Sequence, residues 1–262
     1  MKTVLILGHK GMLGNAVLSY FTQENKYTVL ITSERFGSEA FNNTLKESAA
    51  DVIVNCIGLI PQKKPAPEEY TKINIELPIF LETLGKNVIL PSTDCEFSGT
   101  ISPPLKYKKD APRDAEDEYG KSKAHVSKLI EDSFENTKVI RTSVIGHELT
   151  THLSLLDWFL NSTTQVNGYT NHYWNGITTL QWAKVCEELI DNWDNHPQIN
   201  QYGTDEIASK YDVLNTIKDV YGSDVAISPF ETTPTVNKCL ETDAVMPTLK
   251  EQLVELKKFY GK

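Results

Sequence analysis

The chain has 262 residues, 40% of them hydrophobic, enough to bury one large core or a main domain carrying a small lobe. A formal net charge of -9 argues against nucleic acid as a general partner, since phosphate backbones are held by excess Lys and Arg, but leaves a small anionic ligand open. No apolar run reaches membrane-spanning length and the four cysteines fit neither a CxxC pair nor a disulfide framework, so a cytoplasmic chain with reduced thiols and no membrane partner is expected.

Met1 and Lys2 lead straight into Thr3 to Leu7, which reads as a buried strand, and no signal peptide is expected. Asn15 to Thr22 has helical period and Tyr27 to Thr32 reads as a second strand. Asp51 to Asn55, Asn87 to Pro91 and Lys138 to Arg141 read as further strands, with helices around Tyr70 to Leu84 and Tyr119 to Phe134. This alternation predicts an α/β fold, a Rossmann-like doubly wound parallel sheet with a smaller C-terminal lobe.

Beyond about residue 145 the pattern loosens. Residues 150 to 176 are polar with interleaved aromatics, Gln181 to Trp193 is helical, Ser209 to Tyr221 with Val225 to Ser228 reads as a helix-strand unit, and Pro247 to Tyr260 as an amphipathic helix. The expected division is a nucleotide-binding core over 1–150, returning around 175–200, and a substrate lobe over 151–174 and 201–262.

Gly8, Gly11 and Gly14 follow the first strand and open the first helix, with Lys10, Met12 and Leu13 between them. Glycines there let the backbone turn tightly and approach a pyrophosphate, whose charge then lies at a helix N-terminus. The GxxGxxG spacing is typical of short-chain dehydrogenases. At the end of the second strand, Ser33 and Arg35 suit a 2'-phosphate and favour NADP(H), whereas Glu34 suits the free hydroxyl of NAD(H).

Tyr119 and Lys123 lie four apart on one helical face, a spacing that predicts an ammonium lowering the phenol's pKa for proton transfer. Ser92, Thr93 and Asp94 place hydroxyls at the carboxyl end of a buried strand, where open α/β sheets bind ligands and where a hydroxyl can orient a substrate carbonyl.

Together these motifs resemble the extended short-chain dehydrogenase/reductases, most closely the dTDP-4-dehydrorhamnose reductase branch. Ser92-Thr93-Asp94 with Phe97 and Gly99 is similar to that branch's STDxxFxG motif, Tyr119 to Lys123 to its YxxSK, and Arg141-Thr142-Ser143 to its next strand. The resemblance implies Thr93 as catalytic hydroxyl, Tyr119 as acid, and Lys123 as its partner and a nicotinamide-ribose ligand. It also implies Cys56, Ile57 and Gly58 at the cofactor edge, Asn74 in the following helix, and reduction of the 4-keto group of a nucleotide-activated 6-deoxyhexose.

One departure matters. Related dehydratases carry a Glu base directly after the Asp, where this chain has Cys95; Glu96 comes one residue late and would face the other way on an extended chain. The rhamnose reductases usually carry Tyr where Cys95 stands; Cys95 instead resembles the thiol of bifunctional 3,5-epimerase/4-reductases, with His152 or His147 as acid, or else is a small buried side chain filling that Tyr's space.

In the polar segment, Trp158, Tyr169, Tyr173 and Trp174 offer aromatic faces for a nucleotide base or for packing, with Ser92, Asn74 and His152 as further substrate contacts. No His, Asp or Glu cluster has metal-ligand spacing. A non-catalytic NADP-binding regulatory subunit is a second reading, opposed by the intact Thr93, Tyr119 and Lys123. The sequence sets neither the nucleotide nor the oligomeric state; a homodimer is compatible with it.

Overall fold

The computed structural model describes all 262 residues. In chain order its first half runs β1 (Thr3–Leu7), α1 (Met12–Glu24), β2 (Thr28–Ile31), α2 (Glu39–Glu47), β3 (Val52–Asn55), α3 (Pro67–Tyr70), α4 (Leu77–Glu82), β4 (Asn87–Ser92), α5 (Glu118–Ser133) and β5 (Thr137–Arg141). The second half adds β6 (Val144–Ile145), α6 (Leu155–Leu160), β7 (Val166–Tyr169), β8 (His172–Trp174), β9 (Ile177–Thr178) and α7 (Thr179–Asp191). It closes with β10 (Ile199–Thr204), β11 (Ala208–Ser209), α8 (Lys210–Tyr221), β12 (Ile227–Phe230), β13 (Val236–Asn237), β14 (Ala244–Met246) and α9 (Leu249–Phe259).

Seven strands form the central sheet in the order β14-β10-β5-β4-β3-β1-β2, all neighbours parallel. Val4 to Leu7 are buried on both sheet faces, so β1 reads as an unbroken apolar run. One face packs Val17, Phe21 and Trp182 from α1 and α7; the other packs Phe41, Leu81 and Ile130 from α2, α4 and α5. Strand order reverses at β1, with β2 on one side and β3 on the other. The crevice at the carboxyl ends of β1 and β3 is therefore the topological switch point.

Three features depart from the sequence reading. Helix α2 had no counterpart in it, because only Phe41 and Leu45 of a polar nine-residue stretch are buried; Ser38 caps its start, accepting from Phe41 N at 3.1 Å. The helix expected around Tyr70 to Leu84 begins at Pro67 and widens into a π turn over Thr71–Glu76 before α4 resumes. Strand β10, whose residues from Gln201 on were assigned to the small lobe, lies inside the central sheet beside β5, with β14 beyond it. Its sequence INQYGT looks polar, but Asn200 and Gln201 are buried and their amides bond to Pro197 O at 2.8 Å and Glu241 O at 2.7 Å.

The smaller lobe gathers α6, α8 and α9 with β7-β12 and β11-β8-β13 around Leu156, Phe159, Trp174, Leu214 and Leu253. A bridge from Asn237 to Thr100 joins it to the loop after β4. No helix is long and apolar enough to cross a membrane.

Candidate active site

Gly8 ends β1 at φ +75°, a backbone state that favours glycine, and its position leaves only 3.0 Å between an added Cβ and the Cys56 and Ile57 backbone. At Gly14 a Cβ would lie 2.3 Å from Gly8 O, so α1 packs directly on the turn. The first turn of α1 has no side-chain cap and no acidic residue, and the buried Nδ1 of His9 has no partner. Uncapped N–H groups at a helix start, next to an unsatisfied imidazole nitrogen, fit a pyrophosphate. Ser33, Glu34 and Arg35 are exposed just beyond β2, and Arg35 makes no ion pair. At Gly58 a Cβ would be in ordinary contact with Asn74 Oδ1 and Lys123 Nζ, each at 3.8 Å, so the glycine lies against both side chains without crowding.

Beside this cleft, β4 ends in a 3-10 turn over Asp94–Glu96, and Thr93 Oγ1 accepts from Cys95 N at 3.1 Å to cap it. Asp117 caps α5 by accepting from Gly120 N at 2.8 Å, which sets the first turn carrying Tyr119. Thr93 Oγ1 donates to Asp94 Oδ1 at 3.0 Å, and its side chain is a near neighbour of the Tyr119 phenol without a hydrogen bond to it. Tyr70, buried on the neighbouring helical segment, packs its ring 6.3 Å from that of Tyr119. No motif marks Tyr70; its spacing four residues before Asn74, on a face turned to α5, was the signal available.

The electrostatics differ from the sequence expectation. Tyr119 is held above the usual tyrosine range, first by burial of its hydroxyl and then by the nearby Cys95; the Thr93 contact pulls the other way. Lys123 does not prime the phenol in this arrangement. Its amine donates to Pro91 O at 3.0 Å, and burial pulls it down to about 8 against the opposing charge of Glu96. Burial beside Asp94 also pushes the Cys95 thiol up to about 11, so it is not the thiolate that α-proton removal requires.

Several expected substrate contacts are engaged elsewhere. Ser92 Oγ donates to Glu96, and Asn74 bonds Leu59 N at 2.9 Å, Leu59 O at 3.1 Å and Ser122 Oγ at 3.1 Å. Both hold the frame of the cleft: the Ser92 hydroxyl hydrogen and both N–H groups of the Asn74 amide are already donated within the protein. Trp174 is buried in the lobe core, its indole against Gly176 rather than open for stacking. His147 is buried against Asp157 at 2.7 Å and Tyr221 at 2.9 Å. His152 is exposed, its ring nitrogen 3.2 Å from Asn161 Nδ2, and Trp158 is 41% exposed, so its face is free.

Glycine turn at the switch point, strand-end threonine and helical tyrosine and lysine form the constellation expected of the extended short-chain dehydrogenase/reductases. The pattern of the RmlD substrate binding domain family matches residues 1–247, and the chain belongs to that family. Among curated protein sequences none matches it significantly. Solved structures do: a dTDP-4-dehydrorhamnose reductase from Clostridium acetobutylicum superposes with a TM-score of 0.83 at 20% identity, covering 99% of this chain and 100% of that one. The Bacillus anthracis dTDP-4-dehydrorhamnose reductase, solved with NADP, gives 0.82 at 15% identity, covering 99% of each chain. A dTDP-glucose 4,6-dehydratase from Bacillus anthracis, solved with NAD, gives 0.79 at 14% identity, covering 100% of this chain and 97% of that one.

Proposed function

We propose that the protein is an NADP(H)-preferring reductase of the 4-keto group of a nucleotide-activated 6-deoxyhexose, acting in deoxysugar biosynthesis like the dTDP-4-dehydrorhamnose reductases it resembles. The observation that carries this reading is the docking of the first turn of α5, which bears Tyr119, on the turn after β4, which bears Thr93, beside a glycine turn built for a pyrophosphate. The likeness to a reductase solved with NADP supports the cofactor, and the exposed Ser33 and Arg35 supply its 2'-phosphate contacts. NAD(H) remains a usable alternative through Glu34.

In this reading Gly8, Lys10, Gly11, Met12, Leu13 and Gly14 border the cofactor's phosphates, Cys56, Ile57 and Gly58 its inner edge, and Lys123 its ribose. Once bound, the nicotinamide supplies a hydride to the ketone. Thr93 orients the carbonyl oxygen, and Tyr119, a phenol protonated at neutral pH, gives that oxygen its proton as it becomes negative. Glu96 is buried and ion-paired, which supports reduction over dehydration. Trp158 offers an aromatic face to the nucleotide base and His152 a polar edge. Residence in the cytoplasm, a nucleotide-sugar substrate, no nucleic-acid partner and a homodimeric state complete the reading.

Following NADPH absorbance across a panel of 4-keto sugar nucleotides tests it. Oxidation with at least one member is expected in wild type and abolished in Tyr119→Phe, with NADPH affinity nearly unchanged; full turnover by that variant refutes the acid assignment. A chain that binds NADPH yet oxidises it with no sugar nucleotide is the regulatory subunit instead.

A further inference from the structure

Glu96 is fully buried directly behind the cleft, and four side chains from four segments converge on its carboxylate. Ser92 Oγ donates from the end of β4 and Ser127 Oγ from α5 at 2.7 Å. Arg113 Nε donates from the loop before α5 and Arg141 Nη2 from β5, each at 2.9 Å. Arg141 is fully buried too and also donates to Gln201 Oε1 of β10 at 2.8 Å and to Lys109 O at 3.1 Å. Arg113 also pairs with Glu131, with Nη1 donating at 3.0 Å. One carboxylate thus ties β4, the turn bearing Thr93, α5 and β5.

Its place relative to Lys123 is equally specific. Pro91, whose carbonyl accepts from the amine, precedes Ser92, and Ser127 stands one helical turn beyond Lys123. Lys123, Ser92 and Ser127 also line one small enclosed gap with Asn74 and Pro91. The carboxylate is thus held on one side by the residue that follows the amine's acceptor and on the other by a serine one helical turn beyond Lys123.

We propose that Glu96 is a positioning residue of the Thr93, Tyr119 and Lys123 site: it locks the β4 turn onto α5 and is the negative charge that the Lys123 amine faces. Its bearing on turnover rests on the reductase reading; its bearing on Lys123 does not. The titratable groups on the elements packed there are Asp94 and Cys95 of the turn, Tyr119 on the same helix as Lys123, and Tyr70, whose ring packs on that of Tyr119. Lys238 reaches the turn from the small lobe, and Arg113 and Arg141 stand behind Glu96.

The test is a pH titration of the Lys123 Nζ resonance by nitrogen-15 NMR on the full chain without ligands, the signal assigned by its loss in Lys123→Met. Glu96→Gln keeps the hydrogen-bonding shape but removes the charge, and Lys123 is expected to titrate about one unit lower. Arg113→Gln unmasks the carboxylate, and Lys123 is expected to titrate higher. A general loosening of the fold would not move the two in opposite directions. An unmoved resonance, or shifts of the same sign, overturns the proposal. If Glu96→Gln does not fold, Glu96→Asp decides, because it keeps the charge but draws it back by one methylene: a lower titration supports the proposal, and an unchanged or higher one overturns it. Because no sugar nucleotide is used, a chain inactive as a reductase still gives this answer, whereas an active one with unmoved Lys123 loses only the Glu96 role.

Discussion

Gly120 lies so close to Cys95 that a β-carbon on it would sit 2.1 Å from the Cys95 carbonyl oxygen and 2.6 Å from Ala115 Cβ. The glycine in the Tyr119 to Lys123 run therefore does a job separate from chemistry: it lets α5 dock on the turn that carries Thr93. Neither neighbour is the flexible end of a long side chain, so an added methyl must push the helix away. Gly120→Ala is expected to lower stability by about 1–3 kcal/mol, the usual cost of overpacking. Activity should fall further than stability explains, because Thr93 and Tyr119 separate. Denaturant unfolding alongside turnover checks this, and a variant with wild-type kcat would show the docking to be irrelevant.

The pH dependence follows from Lys123. Burial brings its amine down to about 8 despite Glu96, so its charge is complete below that pH and lost as pH rises through it. Because the ammonium is the form that donates to the cofactor ribose in the reductase reading, kcat/KM is expected to fall above about pH 8. Lys123→Arg keeps its charge throughout, so whatever activity it retains should hold to a higher pH. A wild-type profile flat to pH 10 contradicts this. Stability moves the opposite way: between about 8 and 10.5 the unfolded chain keeps a proton that the folded chain has released, so this group's contribution grows with pH.

Cys95 separates plain reduction from epimerisation followed by reduction. A thiol pushed up to about 11 is almost wholly protonated at neutral pH and is a poor base. Cys95→Ser is expected to leave reduction within about threefold of wild type, an energy change of under 1 kcal/mol. Reduction in deuterated water should place no deuterium at C3 or C5 of the sugar. Thiol labelling gives an independent check: Cys186 and Cys239 are buried and Cys56 is raised by burial, so the native chain should react slowly at pH 7.5 and all four cysteines rapidly once unfolded. Deuterium uptake that depends on Cys95 would restore the epimerase reading.

Much of this architecture was legible because its signals are local. The β1 run, the glycine turn and the Tyr119 and Lys123 spacing each lie within a few residues. What was not legible depends on partners distant in sequence. Strand β10 carries polar residues whose partners, among them Pro197, Tyr107, Glu241 and Arg141, lie outside the strand and meet them in the folded chain. Ser92 and Asn74 carry side chains suited to a sugar, and only the fold reveals that Glu96, Leu59 and Ser122 already hold them. The helical spacing of Tyr119 and Lys123 was right, but their coupling was not, since spacing says nothing of the Pro91 carbonyl that draws the amine aside.

Cofactor choice turns on the short exposed stretch after β2. Glu34 N donates to Thr32 Oγ1 at 3.2 Å, which shapes the backbone there, while the Arg35 guanidinium has no carboxylate partner of its own. An unpaired, solvated guanidinium loses little on meeting a phosphate and gains a bidentate contact, whereas NADH offers it only a hydroxyl. Arg35→Ala is therefore expected to raise KM for NADPH roughly tenfold, about 1.4 kcal/mol, and to leave KM for NADH nearly unchanged. Glu34→Gln should act in the opposite sense, weakening NADH if its carboxylate serves the ribose hydroxyl and improving NADPH by removing a like charge near the phosphate. Steady-state kinetics with both cofactors decides it. Equal losses for NADPH and NADH in Arg35→Ala would mean that the guanidinium contacts something common to both, such as the adenine face, and that the 2'-phosphate is read elsewhere.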